Sequence, residues 1–464
     1  MRNGQRRVRL MLSLVASVLA PALAMPTGPF TAPTGPFVAP AGAAVKPRLV
    51  LVLPFDATSL PADDRWMGEG VAQLVSLGLV QHPAFNQLEP TRLRALGTGE
   101  VSGAPAVLQA ARNIRADAAI FGEITRKATE LIVRPRLVEI KGTGGEPMAL
   151  EPITIPEGEL LARIASLPVA YTRTMKVTLT EAEAARMEKA ARPTRSLKAF
   201  ELFSLAQSAI RHGGQEAAER AADLLARSVE ADASFVVAHY TLGTVHQTLG
   251  NRWKAMAQFR ASTQLDATYP EPYKALGDLL LAQPRRLFDQ AIEAYAKAIE
   301  LRPFLADAHV GLGDAKAAKS DTDGAIGAYQ RALALNPANP RVHMSLGKIY
   351  YSEKGLYYEA VTAYRKAIEF DPGSIEARMG LGEVYEDKGL YKEAIEEYRR
   401  VIDLDGKHTG AMYNLAIVYE RVEPREAVAQ WERYIALASQ LPSEKDWVDV
   451  ARQHLRKLKS QIKD

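Results

Sequence analysis

The feature that most constrains this chain is a period in its second half. From Ala199 onward a leucine followed by a small residue returns at spacings of 37, 34, 36, 34, 35 and 34: Leu205-Ala206, Leu242-Gly243, Leu276-Gly277, Leu312-Gly313, Leu346-Gly347, Leu381-Gly382 and Leu415-Ala416. Eleven to fifteen residues after each small residue stands an alanine (Ala221, Ala255, Ala291, Ala325, Ala360, Ala394, Ala427). Four positions further on comes a large side chain (Leu225, Phe259, Tyr295, Tyr329, Tyr364, Tyr398, Trp431). Two antiparallel helices approach closely only where small side chains sit at their crossing, and a bulky residue one turn on then fills the adjoining space. Pro303, Pro337 and Pro372 fall just past the second helix of their units, where proline stops a helix without breaking it. The pattern predicts helix pairs stacked in single file, with differences in unit length absorbed in the turns.

In spacing and residue type together, the pattern resembles the tetratricopeptide repeat family. The resemblance covers about residues 199–441 and divides into seven units: 199–235, 236–269, 270–305, 306–339, 340–374, 375–408 and 409–441. The first and last units are degenerate, as expected where a unit has a neighbour on one side only. Residues 442–464 are predicted to be a capping helix, with Trp447, Val450, Leu455 and Leu458 on the last unit. Stacked pairs curve, and their first helices line the inner surface. Counting two residues either side of each leucine, and one turn beyond, predicts a protein-binding groove. It comprises Tyr240, Thr244, Lys274, Asp278, Val310, Asp314, Met344, Lys348, Tyr351, Met379, Glu383, Glu386, Tyr413 and Glu420. Tyrosines and methionines mixed with carboxylates suit an extended peptide, or a helix with some basic character.

Ahead of the repeats, residues 47–190 read as a small mixed α/β (α+β) domain. Leu49 to Leu53 is a continuous apolar run closed by Pro54, as in a buried strand. Gly68 to Leu79 and Ala106 to Ile114 have helical spacing, and Asp117 to Ile124 and Leu131 to Ile140 read as strands before a turn at Gly142-Thr143-Gly144-Gly145. Pro135 removes a ladder donor and argues for an edge strand. Thr180 and Glu183 form a capping box for a bridging helix that Pro193 ends, followed by a linker at 191–198. The succession VLVLPF, MGEGVAQLV, RADAAIFGEI and LIVRPRLVEIKGTG resembles the TolB amino-terminal-like domain of Gram-negative envelope proteins over about residues 47–170. Pro54-Phe55, Gly68, Gly70, Gly122 and Gly142 or Gly144 are the matching positions; Pro135 departs from the family, and no propeller repeats follow. The resemblance implies an exported protein with a second docking module.

The start of the chain agrees with export. Arg2, Arg6, Arg7 and Arg9 precede an apolar run from Leu10 to Leu19 and the triplet Ala22-Leu23-Ala24, the layout of a signal peptide over residues 1–24. That run is too short to span a bilayer, so no stable membrane insertion is expected after cleavage. Residues 25–46, with the near-duplicate heptads TGPFTAP and TGPFVAP, read as a tether. Removing the four leader arginines from the 58 Lys and Arg leaves 54, equal to the 54 Asp and Glu, so no net field would attract nucleic acid.

Catalysis finds no support. There is no cysteine, Met67-Gly68-Glu69-Gly70 lacks the lysine of a phosphate loop, and no nucleophile elbow occurs. His239, His309 and His343 share one repeat position, filled elsewhere by Tyr273, Arg378 and Met412, and are predicted to be structural, not metal ligands. The sequence thus predicts a protein with no cofactor or metal and no enzymatic activity. It would be a periplasmic or secreted adaptor in an envelope complex, binding a protein or peptide partner. A peptidoglycan- or polysaccharide-associated factor is the alternative, and a hydrolase would require a carboxylate-lined cleft between the two domains.

Overall fold

A computed structural model describes residues 47–86, 103–140, 145–156, 158–283 and 287–462. The expected leader, the tether at 25–46 and the Gly142-Thr143-Gly144 part of the turn lie outside the described residues. The chain folds into a small mixed sheet with a few helices, followed by a long all-helical array.

The first part is built on β1 (Arg48–Val52), β2 (Phe85–Asn86), β3 (Ala118–Lys127), β4 (Glu130–Glu139), β5 (Met148–Ala149) and β6 (Ile153–Ile155). The strand order is β2-β1-β3-β4-β5, with β6 also paired to β4; β1 runs parallel to both β2 and β3. Helix α1 (Trp66–Leu79) covers one face. The other carries α2 (Ala104–Asn113), packed on Leu51, Ala119, Phe121 and Val138. Then come α3 (Leu160–Ile164), α4 (Leu167–Thr174) and α5 (Glu181–Ala190), which begins with the expected capping box. Pro135 is not on an edge strand. Outside β4, β6 pairs with residues 131–133 and β5 with 136–137, and Pro135 falls in the interval. Its carbonyl accepts from Leu150 N at 3.0 Å, so the missing N–H leaves β4 bonded to this segment through the carbonyl alone at that position.

Among the described residues seven helix pairs follow: α6 (Leu197–His212) with α7 (Gln215–Ala231), α8 (Val236–Thr248) with α9 (Arg252–Leu265), α10 (Glu271–Leu281) with α11 (Phe288–Leu301), and α12 (Ala306–Ala318) with α13 (Thr322–Leu335). After them come α14 (Pro340–Ile349) with α15 (Tyr357–Phe370), α16 (Ile375–Asp387) with α17 (Tyr391–Leu404), and α18 (Thr409–Val422) with α19 (Pro424–Ala438); α20 (Lys445–Gln461) ends the array. All seven crossing alanines are 0 % exposed, and the large residues beyond them are buried. The crossings are tight. A Cβ on Gly243 would stand 2.5 Å from the Phe259 ring, and one on Gly382 would stand 2.5 Å from Tyr398. Only a residue without a side chain lets these rings lie flat on the first helix.

Unit 5 departs from the expectation about turns. Its glycine-to-alanine spacing, Gly347 to Ala360, is 13 residues, against 12 in units 2, 4 and 6. In those three units an N–H five residues on closes the end of the first helix (Asn251 to His246, Asp321 to Lys316, Leu390 to Tyr385). In unit 5 the bond runs six residues, from Leu356 N to Tyr350 O, and Tyr350–Lys354 winds as a π-helical turn. The extra residue is thus swallowed by the helix, not by the loop.

No gap in the apolar core marks the 191–198 segment. One continuous cluster runs from β1 through Trp66, Leu74 and Met187 to Phe200, Phe203, Phe235 and Leu242, joining the sheet domain to units 1 and 2. Helix α1 is the seam: Gly70 packs beneath Phe200 and Ser204 of α6, Trp66 meets Phe200 edge-on at 6.1 Å, and Glu69 pairs with Arg211.

Candidate functional site

The first helices of successive units present a recurring arrangement. A tyrosine hydroxyl or indole N–H from the second helix of a unit donates to a carboxylate on its first helix. Tyr295 reaches Asp278 at 2.7 Å, Tyr329 reaches Asp314 at 2.7 Å, Tyr398 reaches Glu386 at 2.9 Å, and Trp431 Nε1 reaches Glu420 at 2.7 Å. The large residue that fills the crossing thus also aims an acid, two positions after the leucine in units 3 and 4 and five after it in units 6 and 7.

Along the array these acids are treated differently. In units 3 and 4 cations neutralise them: Lys274 Nζ lies 2.8 Å from Asp278, and Arg341 pairs with Asp314. In units 5 and 6 Tyr351, displaced by the π turn, donates to Asp387 of the next unit at 2.6 Å. Glu386 and Asp387 are therefore held by neutral phenols. Burial pushes the Glu386 carboxyl up to about 7; the Tyr398 bond opposes this, and the charges of Asp387 and Glu383 add to it. Met344, Tyr351 and Met379 pack half-buried beside these acids, against the cluster of the last three units. Lys348 is exposed.

Other expected groove residues lie elsewhere. Val310 is 5 % exposed and belongs to the interior, because Gly311 and Gly313 draw its helix onto Tyr295 and Tyr329. Tyr413 is covered: Trp431, Tyr434 and Trp447 surround it edge-on at 5.0, 5.5 and 5.6 Å, with Trp447 supplied by the capping helix α20. Glu420 is held from the cap as well, with His454 Nδ1 at 2.8 Å; burial works against its charge, while His454 and Trp431 hold its carboxyl low. Thr244 bonds back to its own helix at Thr241 O, and Tyr240 is half-buried against Phe259 and Tyr269. Position counting also missed Asp387 and Arg341. Asp387 is the neighbour of Glu386, which the count had reached, and the tyrosine at the large position that holds Glu386 was the signal that could have led to it.

The recurring histidines have a different task. Nε2 of His239, His309 and His343 lies 3.1, 2.9 and 2.9 Å from the carbonyl six residues upstream, at Ala233, Pro303 and Pro337. A carbonyl can only accept, so each ring carries its proton there. Tyr273 and Arg378 make the same bond to Ala267 and Pro372. This position clamps the turn between units. Burial holds His309 and His343 below the usual imidazole range, in spite of these bonds. Among the described residues no three His, Asp or Glu side chains converge to hold a metal, and no helix is long and apolar enough to cross a membrane. The carboxylates facing the seam between sheet domain and solenoid, Glu69 and Glu271, are each engaged by an arginine.

Paired helices stacked through alanine crossings define an α-solenoid, a fold that commonly serves as a scaffold for protein–protein interaction. The chain carries tetratricopeptide repeats: TPR-repeat family models match residues 313–353, 351–389 and 375–408. No curated protein matches the chain. Among solved structures, MamA is 31% identical and covers 36% of this chain and 95% of its own, with a TM-score of 0.33. YrrB, described as a TPR protein with an unusual peptide-binding site, is 23% identical over 42% of this chain and 97% of its own, with a TM-score of 0.37. PilF of Pseudomonas aeruginosa is 16% identical over 50% of this chain and 98% of its own, with a TM-score of 0.41.

Proposed function

We propose that the protein is a non-catalytic adaptor that holds a segment of a protein partner on the first helices of units 5 and 6. The observation that carries this reading is the contrast between a neutralised stretch, with Lys274 against Asp278 and Arg341 against Asp314, and the phenol-held acids Glu386 and Asp387 beside Met344, Tyr351 and Met379. Carboxylates next to flexible apolar side chains suit a segment with a lysine or arginine flanked by apolar residues. Glu383 and Lys348 lie on the same helices and would set its register.

The location proposed is the cell envelope, periplasmic or secreted, on the strength of Arg2, Arg6, Arg7 and Arg9 ahead of an apolar run and a small-residue triplet. The likeness of residues 47–170 to the TolB amino-terminal-like domain supports the same address. Helix α1 of that domain is committed to unit 1, so a second partner would dock on the remaining surface. Polysaccharide binding by stacked tyrosines is the weaker reading, since Tyr413 is covered and Tyr240 half-buried.

A photoreactive residue placed at Met379 in the full chain, in cells, tests the groove. Adducts resistant to muramidase that disappear with Glu383→Lys/Asp387→Lys are expected. Adducts that survive this reversal of charge, or that form only from Tyr358 outside the groove, would overturn the proposal. Fractionation of the same cells tests the address, and a chain confined to the cytoplasm would refute it.

A further inference from the structure

One contact breaks the repeat pattern. In units 1, 2, 4, 5 and 6 the residue that caps the second helix is Asp232, Asp266, Asn336, Asp371 or Asp405, whereas unit 3 has Arg302. Arg302 is 5 % exposed, and its guanidinium pairs with Glu271, the first residue of α10. It also donates to Gln81 Oε1 at 3.2 Å, just past the end of α1. Gln81 is aimed from its own side, for its Nε2 donates to Leu77 O at 3.2 Å. Glu271 Oε2 has no partner, so the buried pair has no spare bond to lose.

The contact spans 221 residues and passes over units 1 and 2. In a solenoid each unit ordinarily touches only its neighbours, so curvature is the sum of local joints. This bond lies in the stretch of the array where the described apolar clusters are small. Between the large cluster of the sheet domain and units 1 and 2 and that of the last three units lie only small ones: Met256, Phe259 and Leu279 in one, Tyr295 with two alanines in the next, and a third around Tyr329 and Leu346.

We infer that Arg302 is a strut: by tying unit 3 to Gln81 it fixes the joint between units 2 and 3 and holds the later units at one angle to the N-terminal domain. The joint would otherwise flex, because little apolar burial opposes its opening.

The test compares the full chain with Gln81→Ala and with the double variant Glu271→Gln/Arg302→Asn, which gives unit 3 the neutral joint found at Asn336. Both are expected to exchange amides roughly tenfold faster at residues 77–83 and 302–308. The radius of gyration by small-angle scattering should increase, with helical circular dichroism unchanged. Should the double variant lose helix, Gln81→Ala decides alone, since it leaves the buried pair in place. Scattering and exchange in Gln81→Ala identical to the wild type would overturn the inference.

Discussion

The two ends of the solenoid are closed by different means. At the N-terminal end an α/β domain shares one core with units 1 and 2, through aliphatic and phenylalanine side chains on α1 and α6. At the C-terminal end a single helix closes an aromatic cluster of Tyr413, Trp431, Tyr434 and Trp447. The first end is a domain interface; the second is one helix deep. Since solenoid stability is a sum of unit and neighbour terms, the two ends should fail independently. Trp431→Ala is the sharpest way to break the comparison. The ring is 0 % exposed, and truncating it should cost about 3–5 kcal/mol. Amide exchange should then rise across units 6 and 7 and α20, with residues 47–250 still protected. Uniform loss of protection would show that both ends belong to one cooperative block.

Between the ends, the crossings rely on glycine where the outer units use larger cores. A Cβ on Gly311 would stand 2.2 Å from the Tyr295 ring, so the ring or the helix would have to shift. Gly311→Ala is expected to destabilise by about 1–3 kcal/mol through overpacking, despite its better helix propensity. Chemical denaturation checks the sign; a stabilised variant would mean that Tyr295 can move aside.

The groove offers a smaller effect with a signature in pH. Glu386 titrates at about 7 in the fold, against an ordinary carboxylate in the unfolded chain. Above 7 the folded carboxylate is charged and penalised by burial, so stability should rise as pH falls from 8 through 7 and level off near the ordinary carboxylate range. Gln at this position can still accept from Tyr398. Glu386→Gln is therefore expected to stabilise at pH 8 by on the order of 1–3 kcal/mol and to lose that advantage by pH 4. A Tm difference independent of pH would show that the carboxyl is not displaced.

These regions were not equally legible in the sequence. The crossings were, because Ala221 through Ala427 and their partners obey a spacing that only paired helices require. Counting along the first helices reached Asp278, Asp314 and Glu386, and the fold meets each of them with a tyrosine hydroxyl. Tyr413 and Glu420 occupy groove positions by count, but a helix outside the repeat covers them, and no periodicity can announce that. The π turn was hidden because one added residue between Gly347 and Ala360 fits a loop as well as a helix on paper. Its position was settled by helix-end hydrogen bonding. The three histidines were read as structural, and their clamp on the turn carbonyl was not foreseen.

Gly327 provides the mildest test, and the one that separates packing from propensity. It lies in the interior of α13, two residues after the crossing alanine Ala325, and a Cβ there would meet nothing within 4 Å. Glycine in an exposed helix interior costs about 1 kcal/mol relative to alanine, largely through the freedom it adds to the unfolded chain. Gly327→Ala should therefore stabilise unit 4 by about 1 kcal/mol, opposite in sign to Gly311→Ala in the same unit, with slower exchange along 322–335. If the thin middle of the solenoid is weak in backbone propensity as well as in apolar burial, this single methyl should also slow exchange in the neighbouring helix 306–318. A gain confined to α13 would instead assign the weakness of the centre to its small cores alone.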